Sequence, residues 1–230
     1  ALDYLIKVKG IPFVQAVERL AGQAEVLPSR VAESRKIPKE PKKSLLMPRV
    51  NLSADRAVSY LRSRGIDPEI IDFCISTGRI YESYPHHNVV FVGKDTLGHP
   101  RYANLRGIGT KFKGEASGSD KRFSFCIPAQ GSRTVHLFES AIDLLSYATL
   151  QKMSGNDWQQ EHLLSLAGVY RPRKELKESS LPLALKQFLT DHAPIEKIVL
   201  RLDNDCAGRD AMNALYTMLS GNYEVTARLP

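Results

Sequence analysis

The pattern of apolar and polar positions changes character twice along this chain. In residues 1–23, ALDYLIKVKGIPFVQAVERLAGQ, Leu2, Leu5 and Ile6 share one helical face. Phe13, Val14, Val17 and Leu20 share another, so the stretch reads as helix, glycine turn, helix, with little to bury itself against. From Pro28 to Pro48 the periodicity stops and Pro, Lys and Arg take over, which predicts a basic linker. LSADRAVSYLRSRGIDPEIIDF (52–73) predicts a helical hairpin, with Ser53 as N-cap, Gly65 as C-cap and Pro68 opening the second helix after Asp67. Two β-runs follow at 88–93 and 100–106, joined by a turn at Asp95 to Gly98. A third, KRFSFCIP (121–128), comes after a Gly/Ser-rich loop at 114–119, completing a small antiparallel α+β unit.

From Ser132 strands and helices alternate. Strands are predicted at 134–138, at 162–166, in KIVLRLD (197–203) and in YEVTARL (223–229). Helices are predicted in AIDLLSYATLQKM (141–153), SLPLALKQFLTDH (180–192) and AGRDAMNALYTML (207–219). Alternation of this kind predicts an α/β fold, a mainly parallel sheet with helices on both faces. The expected organisation is a helical segment at 1–27, a basic linker at 28–49, an α+β basic subdomain at 50–131 and an α/β domain at 132–230.

Composition narrows the class. With 43% hydrophobic and 25% charged residues over 230 positions, the chain has the make-up of a soluble globular protein with a real core. No apolar run approaches the roughly 20 residues that span a bilayer, and the start lacks a signal-peptide pattern. The expectation is a cytoplasmic bacterial protein without a membrane partner. The chain opens on Ala1, which points to a preceding segment. Cys74, Cys126 and Cys206 form no CxxC pair, so no structural zinc site is expected within this stretch. The net charge of +7 is compatible with nucleic acid as a partner but does not single it out.

The candidate chemistry is acidic. In KIVLRLDNDCAGRDAMNAL (197–215) a β-run delivers its end into Asp203 and Asp205, two residues apart and so on one side of an extended chain. The strand at 134–138 ends in Glu139, and Asp143 lies one helical turn further on. If the two strands are neighbours in a parallel sheet, their carboxylates meet at the edge where such sheets bind ligands. Clustered carboxylates suit Mg²⁺ or Mn²⁺, hard ions that take oxygen ligands. Taken singly, Asp203 or Asp205 reads equally well as a helix N-cap, and Glu139 as a surface or capping residue. Arg101, Arg106, Lys111, Lys113, Lys121 and Arg122 gather on the hairpin, where they form either a solvated face or a phosphate-binding one. Tyr102, Phe112 and Phe123 interleave with them and read as its buried face. His86, His87 and His99 are expected in surface turns, and Trp158 as a loop anchor.

HLFESAIDLLSY followed by LRLDNDCAGRDA resembles the TOPRIM family of bacterial primases, topoisomerases and certain nucleases. Glu139 and Ser140 match its first motif, Asp143 the acid found four residues on, and Asp203, Asp205 and Gly208 its DxD-plus-glycine motif. The continuation through Gly208 and Arg209 is most similar to bacterial primases. VVFVGKDTLGHPRYANLRGI and TKFKGEASGSDKRFSF are similar to the basic subdomain ahead of the primase TOPRIM domain. Arg106, Lys113 and Lys121 stand at positions that face nucleotide and template there. YLRSRGIDPEIIDF resembles the helical lead-in of the same core. Residues 1–23 look like the tail of a primase zinc-binding module, whose zinc would be held by ligands before Ala1. The whole is similar to TOPRIM proteins of plasmids and other mobile elements that carry a poorly characterised domain upstream.

The resemblance implies a primase-like nucleotidyl transferase working in DNA replication or transfer. Its substrates would be a single-stranded DNA template and nucleoside triphosphates, with a helicase or other replication protein as partner. Glu139, Asp143, Asp203 and Asp205 would hold Mg²⁺, with Glu139 alternatively acting as general base. Gly208 and Arg209 would support the acidic loop. A further acidic motif of primases is not seen before Pro230. Two alternatives stand: a nuclease using the same acids, and a non-catalytic nucleic-acid-binding module.

Overall fold

Helix α1 (Asp55–Ser63) and helix α2 (Pro68–Ser76) form the predicted hairpin. Asp67 caps α2, its carboxylate accepting from the Glu69 amide at 2.9 Å, with Pro68 in the first turn as the sequence implies. The start of α1 differs from expectation. Ala54, not Ser53, is the N-cap residue and makes no side-chain bond. The Ser53 hydroxyl accepts only from the Asp55 amide, at 3.0 Å, and the next two amides of α1 go to a carboxylate from another element: Glu82 accepts from the Arg56 and Ala57 amides at 3.0 and 3.1 Å. The computed structural model describes residues 44–168, 170–172 and 180–228, with positions 5, 8, 9, 12 and 15. The expected helical tail and most of the basic linker lie outside the described residues.

Strands β1 (Ile80–Glu82), β2 (Val89–Lys94), β3 (Pro100–Arg106) and β4 (Lys113–Glu115) follow in an antiparallel sheet of that order. β2 and β3 are the predicted pair. β1 and β4 have three residues each, too few for alternation to show in the sequence. β2 is buried on both faces: Val89 and Phe91 pack with α1 and α2, while Val90 and Val92 pack with Ala103 on the other side.

The run KRFSFCIP does not join this sheet. It makes a 3₁₀ turn at Lys121–Phe123 and then β5 (Cys126–Ile127), which pairs antiparallel with a strand of the second sheet. That second sheet comprises β6 (Thr134–Phe138), β7 (His162–Ser165), β8 (Lys197–Leu200) and β9 (Glu224–Ala227), with β5 as an antiparallel edge. Its order is β5-β7-β6-β8-β9, all parallel apart from β5. Helices α3 (Ala141–Met153), α4 (Leu183–Asp191) and α5 (Cys206–Leu219) provide the crossovers among the described residues.

The apolar positions explain the layering. Leu144, Leu145 and Ala148 of α3 join Phe138, Leu61, Ile70, Ile71 and Phe91 in one core that runs from the antiparallel sheet to the parallel one. On the opposite face Val135, Leu137 and Leu200 pack with Leu185 and Phe188 of α4 and Ala211 and Leu215 of α5. Trp158 is a loop anchor, 7% exposed and set edge-on to Phe73 at 5.1 Å. The sheets are also drawn together at Gly93, where a Cβ would lie 1.6 Å from the Phe123 carbonyl oxygen. No side chain fits at that crossing.

Candidate active site

β6 and β8 are adjacent and parallel, with Leu137 opposite Leu200, so their C-terminal ends emerge side by side. Glu139 directly follows β6 and Asp203 lies just beyond β8. The conditional expectation about neighbouring strands is met in the backbone. Glu139 is 7% exposed, and its Oε1 accepts a hydrogen bond from the Asp203 amide at 3.2 Å. The approach is close because residue 208 lacks a side chain: a Cβ there would stand 2.0 Å from the Asp203 carbonyl oxygen and 3.1 Å from Glu139 Oε1.

The four acids do not share one environment. Asp205 is the N-cap of α5, and its Oδ1 accepts from the Gly208 amide at 2.7 Å. Asp143 closes a capping box with Ser140 at the start of α3, accepting from the Ser140 amide at 3.1 Å and from its hydroxyl at 2.7 Å. The capping alternative is therefore realised for two of the four. Glu139, Asp143 and Asp203 line one cavity of about 660 Å³, and Asp205 does not. Arg209 braces the acidic loop from behind, its Nη1 donating to the Asn204 backbone oxygen at 2.9 Å and side-chain oxygen at 3.0 Å.

Charge is uncompensated here. Burial, outweighing the bond from the Asp203 amide and reinforced by repulsion from Asp203, Asp205 and Asp143, raises the proton affinity of Glu139. Burial and then the charges of Asp143 and Asp205 raise that of Asp203. Among the described residues no three His, Cys, Asp or Glu side chains converge closely enough to hold an ion as they stand. The donor set is nonetheless all oxygen, crowded, and short of positive charge, which is the chemistry of a hard divalent cation that keeps several waters. The acids fit Mg²⁺ in kind.

The opposite wall of the cavity is basic and comes from the antiparallel sheet. Arg106 and Lys113 are directly paired across β3 and β4, like charges on one face, and neither forms an ion pair with a described residue. Such an arrangement costs stability unless an anion lies between them. Arg64, at the end of α1, joins them, as do Tyr102 and Asn104. The end of β7 completes the wall with Ser165, Ala167 and Gly168.

The other predicted basic residues go elsewhere. Arg101 pairs with Asp95 at 3.3 Å and lies over the Phe123 ring. Lys121 pairs with Glu115 at 2.9 Å and Arg122 with Asp120 at 2.6 Å. These three line a separate depression beside Leu45 and Leu183, and Lys111 is exposed on the loop between β3 and β4. So of the positions matched to the primase subdomain, Arg106 and Lys113 reach the acidic edge and Lys121 does not. Parity on β3 carried part of this: 102, 104 and 106 point one way and 101 the other. Arg64 carried no local mark. Among the histidines, His87 reaches inward, with Nδ1 2.6 Å from Glu82 Oε1, whereas His99 stays exposed beside Asp95.

Comparison with known proteins falls on the same division. Residues 59–131 match a family described as a protein of unknown function, DUF3991, and residues 136–230 match the family described as Toprim-like. Residues 136–230 are a Toprim-like domain. An uncharacterized protein of Bacillus anthracis, pXO2-78, is 34% identical over 124 residues, covering 50% of this chain and 35% of that protein. This chain thus spans about a third of the curated relative it matches. Among solved structures, the primase fragment of the bacteriophage T7 primase-helicase aligns at 20% identity and a TM-score of 0.48, over 71% of this chain and 62% of that one. The Aquifex aeolicus primase, zinc-binding and RNA polymerase domains, aligns at 18% identity and 0.49, over 100% and 64%. A DNA primase domain from Pseudomonas aeruginosa aligns at 14% and 0.45, over 76% and 63%. In the Toprim-like domain the acids described above occupy the C-terminal edge of the parallel sheet. No helix among the described residues is long and apolar enough to cross a membrane.

Proposed function

We propose that this chain contains the catalytic portion of a primase-like nucleotidyl transferase that extends nucleic acid on single-stranded DNA in replication or transfer of a mobile element. One observation carries the reading: a cavity of about 660 Å³ with Arg64, Arg106 and Lys113, none ion-paired to a described residue, on one wall and Glu139, Asp143 and Asp203 on the other. A triphosphate or a nucleic-acid backbone matches the first wall by charge. Oxygen-bound Mg²⁺ matches the second.

Glu139, Asp143 and Asp203 would hold the cation, with Asp205 fixing the loop that carries Asp203. When bound, the ion supplies neutralising charge and orients phosphate oxygens. The remaining work belongs to the chain. Arg106 and Lys113 would grip phosphate oxygens, and Arg64 would close the grip from the end of α1. Tyr102 and Asn104 would form the floor against which a nucleotide rests. As an alternative to holding the ion, Glu139, the most buried of the acids and, like Asp203, raised in proton affinity, would remove the proton from an attacking 3′-hydroxyl as its oxygen bonds to phosphorus and pyrophosphate departs. The resemblance to primases implies the partners: a single-stranded template, nucleoside triphosphates and a replication protein such as a helicase.

The test is synthesis of labelled product on single-stranded DNA with Mg²⁺ or Mn²⁺, using the chain together with its flanking segments. Asp203→Asn removes a charge worth several kcal/mol in the transition state, so the rate should drop on the order of 100-fold or more. Absence of product from the unaltered protein, or equal product from the variant, would sink the proposal. Cleavage of labelled DNA with metal and no nucleotides would instead assign the acids to a nuclease.

A further inference from the structure

Behind the acidic edge a polar cluster is built on the central strand of the parallel sheet. His136, on the central strand β6, is 3% exposed. Its Nδ1 accepts a hydrogen bond from Arg201 Nε at 2.8 Å, so that nitrogen carries a lone pair. Its Nε2 faces the Glu161 carboxylate and therefore carries the proton. The guanidinium of Arg201 continues to the Tyr147 hydroxyl, with Nη2 donating at 3.3 Å, and lies over the Tyr147 ring at 4.1 Å. His136 and Tyr147 stack with centroids 5.0 Å apart. Both ring nitrogens of the histidine are used, and the guanidinium is engaged through Nε, Nη2 and its face.

The placement of the three residues gives the cluster its interest. His136 precedes Glu139 on β6, Arg201 precedes Asp203 just beyond β8, and Tyr147 lies one helical turn past Asp143 on α3. One hydrogen-bonded unit thus ties together the three elements that each present one acid to the cavity. The acidic segments run past the ends of the sheet ladder. There Arg201 and Leu137 share a backbone bond, N to O at 2.9 Å, and the Asp203 amide donates to the Glu139 side chain, Oε1, at 3.2 Å. Mutual repulsion pushes Glu139, Asp143 and Asp203 apart. A guanidinium held on two sides opposes that spreading. Half-burying a guanidinium at the end of a strand is costly, and an apolar trio of the same volume would pack at least as well.

We infer that Arg201, with His136 and Tyr147, is a positioning unit that sets the spacing of Glu139, Asp143 and Asp203 for a divalent cation. This rests on the reading of those acids as a cation site. Residues behind metal ligands typically change affinity by about 10- to 100-fold when removed.

The experiment measures Mn²⁺ binding to the purified chain by electron paramagnetic resonance, with melting curves for every protein. Arg201→Lys keeps the charge but loses the planar fork and stack. His136→Leu removes the acceptor, and Tyr147→Phe removes only the hydroxyl. Phe73→Leu, beside Trp158 and outside the lining of the acidic cavity, reports what ordinary destabilisation does. The expected result is Mn²⁺ affinity weakened about 10-fold or more in Arg201→Lys and His136→Leu, less in Tyr147→Phe, and unchanged in Phe73→Leu. Should Arg201→Lys fail to fold, Tyr147→Phe and His136→Leu carry the comparison. Affinity equal to that of the unaltered chain in all three cluster variants would overturn the positioning role while leaving the cation site standing. If the unaltered chain binds no Mn²⁺, or Asp203→Asn binds it equally well, the cation site and the positioning role fall together.

Discussion

Asp203 and Asp205 lie two residues apart and look interchangeable in the sequence, yet their surroundings divide them. Asp205 is occupied by the amide of Gly208, an anion at a helix N-terminus where the peptide dipoles favour it. Asp203 is exposed along the cavity, where partial desolvation and the charges of Asp143 and Asp205 raise its proton affinity. A carboxyl whose folded pKa exceeds its unfolded one weakens the fold at neutral pH, because the ionised form is disfavoured only in the folded state. Asp203→Asn should therefore raise the melting temperature in metal-free buffer while lowering activity. Millimolar Mg²⁺ should stabilise the unaltered chain more than the variant. Thermal melts with and without chelator check both, and a lower melting point for Asp203→Asn in chelator would contradict the repulsion argument.

Helix α1 and strand β1 depend on each other through Glu82. The carboxylate is 2% exposed. Burial opposes its ionisation, but bonds from His87 and from the Ala57 and Arg56 amides outweigh this and hold its pKa below the usual range. The Asn51 side-chain amide donates as well, at 3.0 Å. A Ser at position 53 was the natural capping expectation, since its hydroxyl lies next to the helix start. In the fold it bonds only the Asp55 amide, at 3.0 Å. Glu82→Ala should cost about 2–4 kcal/mol, because it strips charged acceptors from buried amides. Ser53→Ala should cost about 0.5–1 kcal/mol or less. Urea unfolding of the two variants checks the ordering, and equal costs would return the capping role to Ser53. Because α1 ends at Arg64, loosening its start should also weaken the basic wall of the cavity.

Two buried imidazoles make stability of the whole unit respond to acid. His136 and His162 are each 3% exposed, and both have depressed proton affinity. For His136 the first cause is burial, which outweighs its Glu161 partner; for His162 it is burial and then the charge of His192. His162 is held neutral from both sides, with Nδ1 accepting from the Ala129 amide at 2.9 Å and Nε2 directed at the Ser132 carbonyl. Folded pKa values below the unfolded 6.5 mean that the unfolded chain binds more protons. The stabilisation is complete above that value and is lost as pH falls through it toward the folded ones. The slope approaches about 1.4 kcal/mol per pH unit per histidine. Denaturation midpoints measured from pH 8 to pH 5 should fall below roughly pH 6.5. His162→Gln, which keeps one donor and one acceptor, should flatten the decline. A flat profile would show that neither ring is buried neutral.

How far these features could be read in advance depends on how local their causes are. The alternation of strands and helices after Ser132, the hairpin at α1 and α2, and the β2–β3 turn all arise from residues near in sequence, where period, caps and turn residues act directly. Convergence of Glu139 with Asp203 was legible too, because neighbouring parallel strands must end at one edge. The short strands β1 and β4, the transfer of β5 to the second sheet, and the capping of α1 by Glu82 were not. Each is decided by a partner far along the chain, and a two- or three-residue strand holds no period of its own. The same holds for the site. Which acids are present, and that they crowd, follows from the sequence. That Arg64, Arg106 and Lys113 face them while Arg101, Lys121 and Arg122 turn to carboxylates of their own was settled by how the two sheets pack. The core they share at Phe91, Phe138 and Leu144, together with the close crossing at Gly93, sets that orientation.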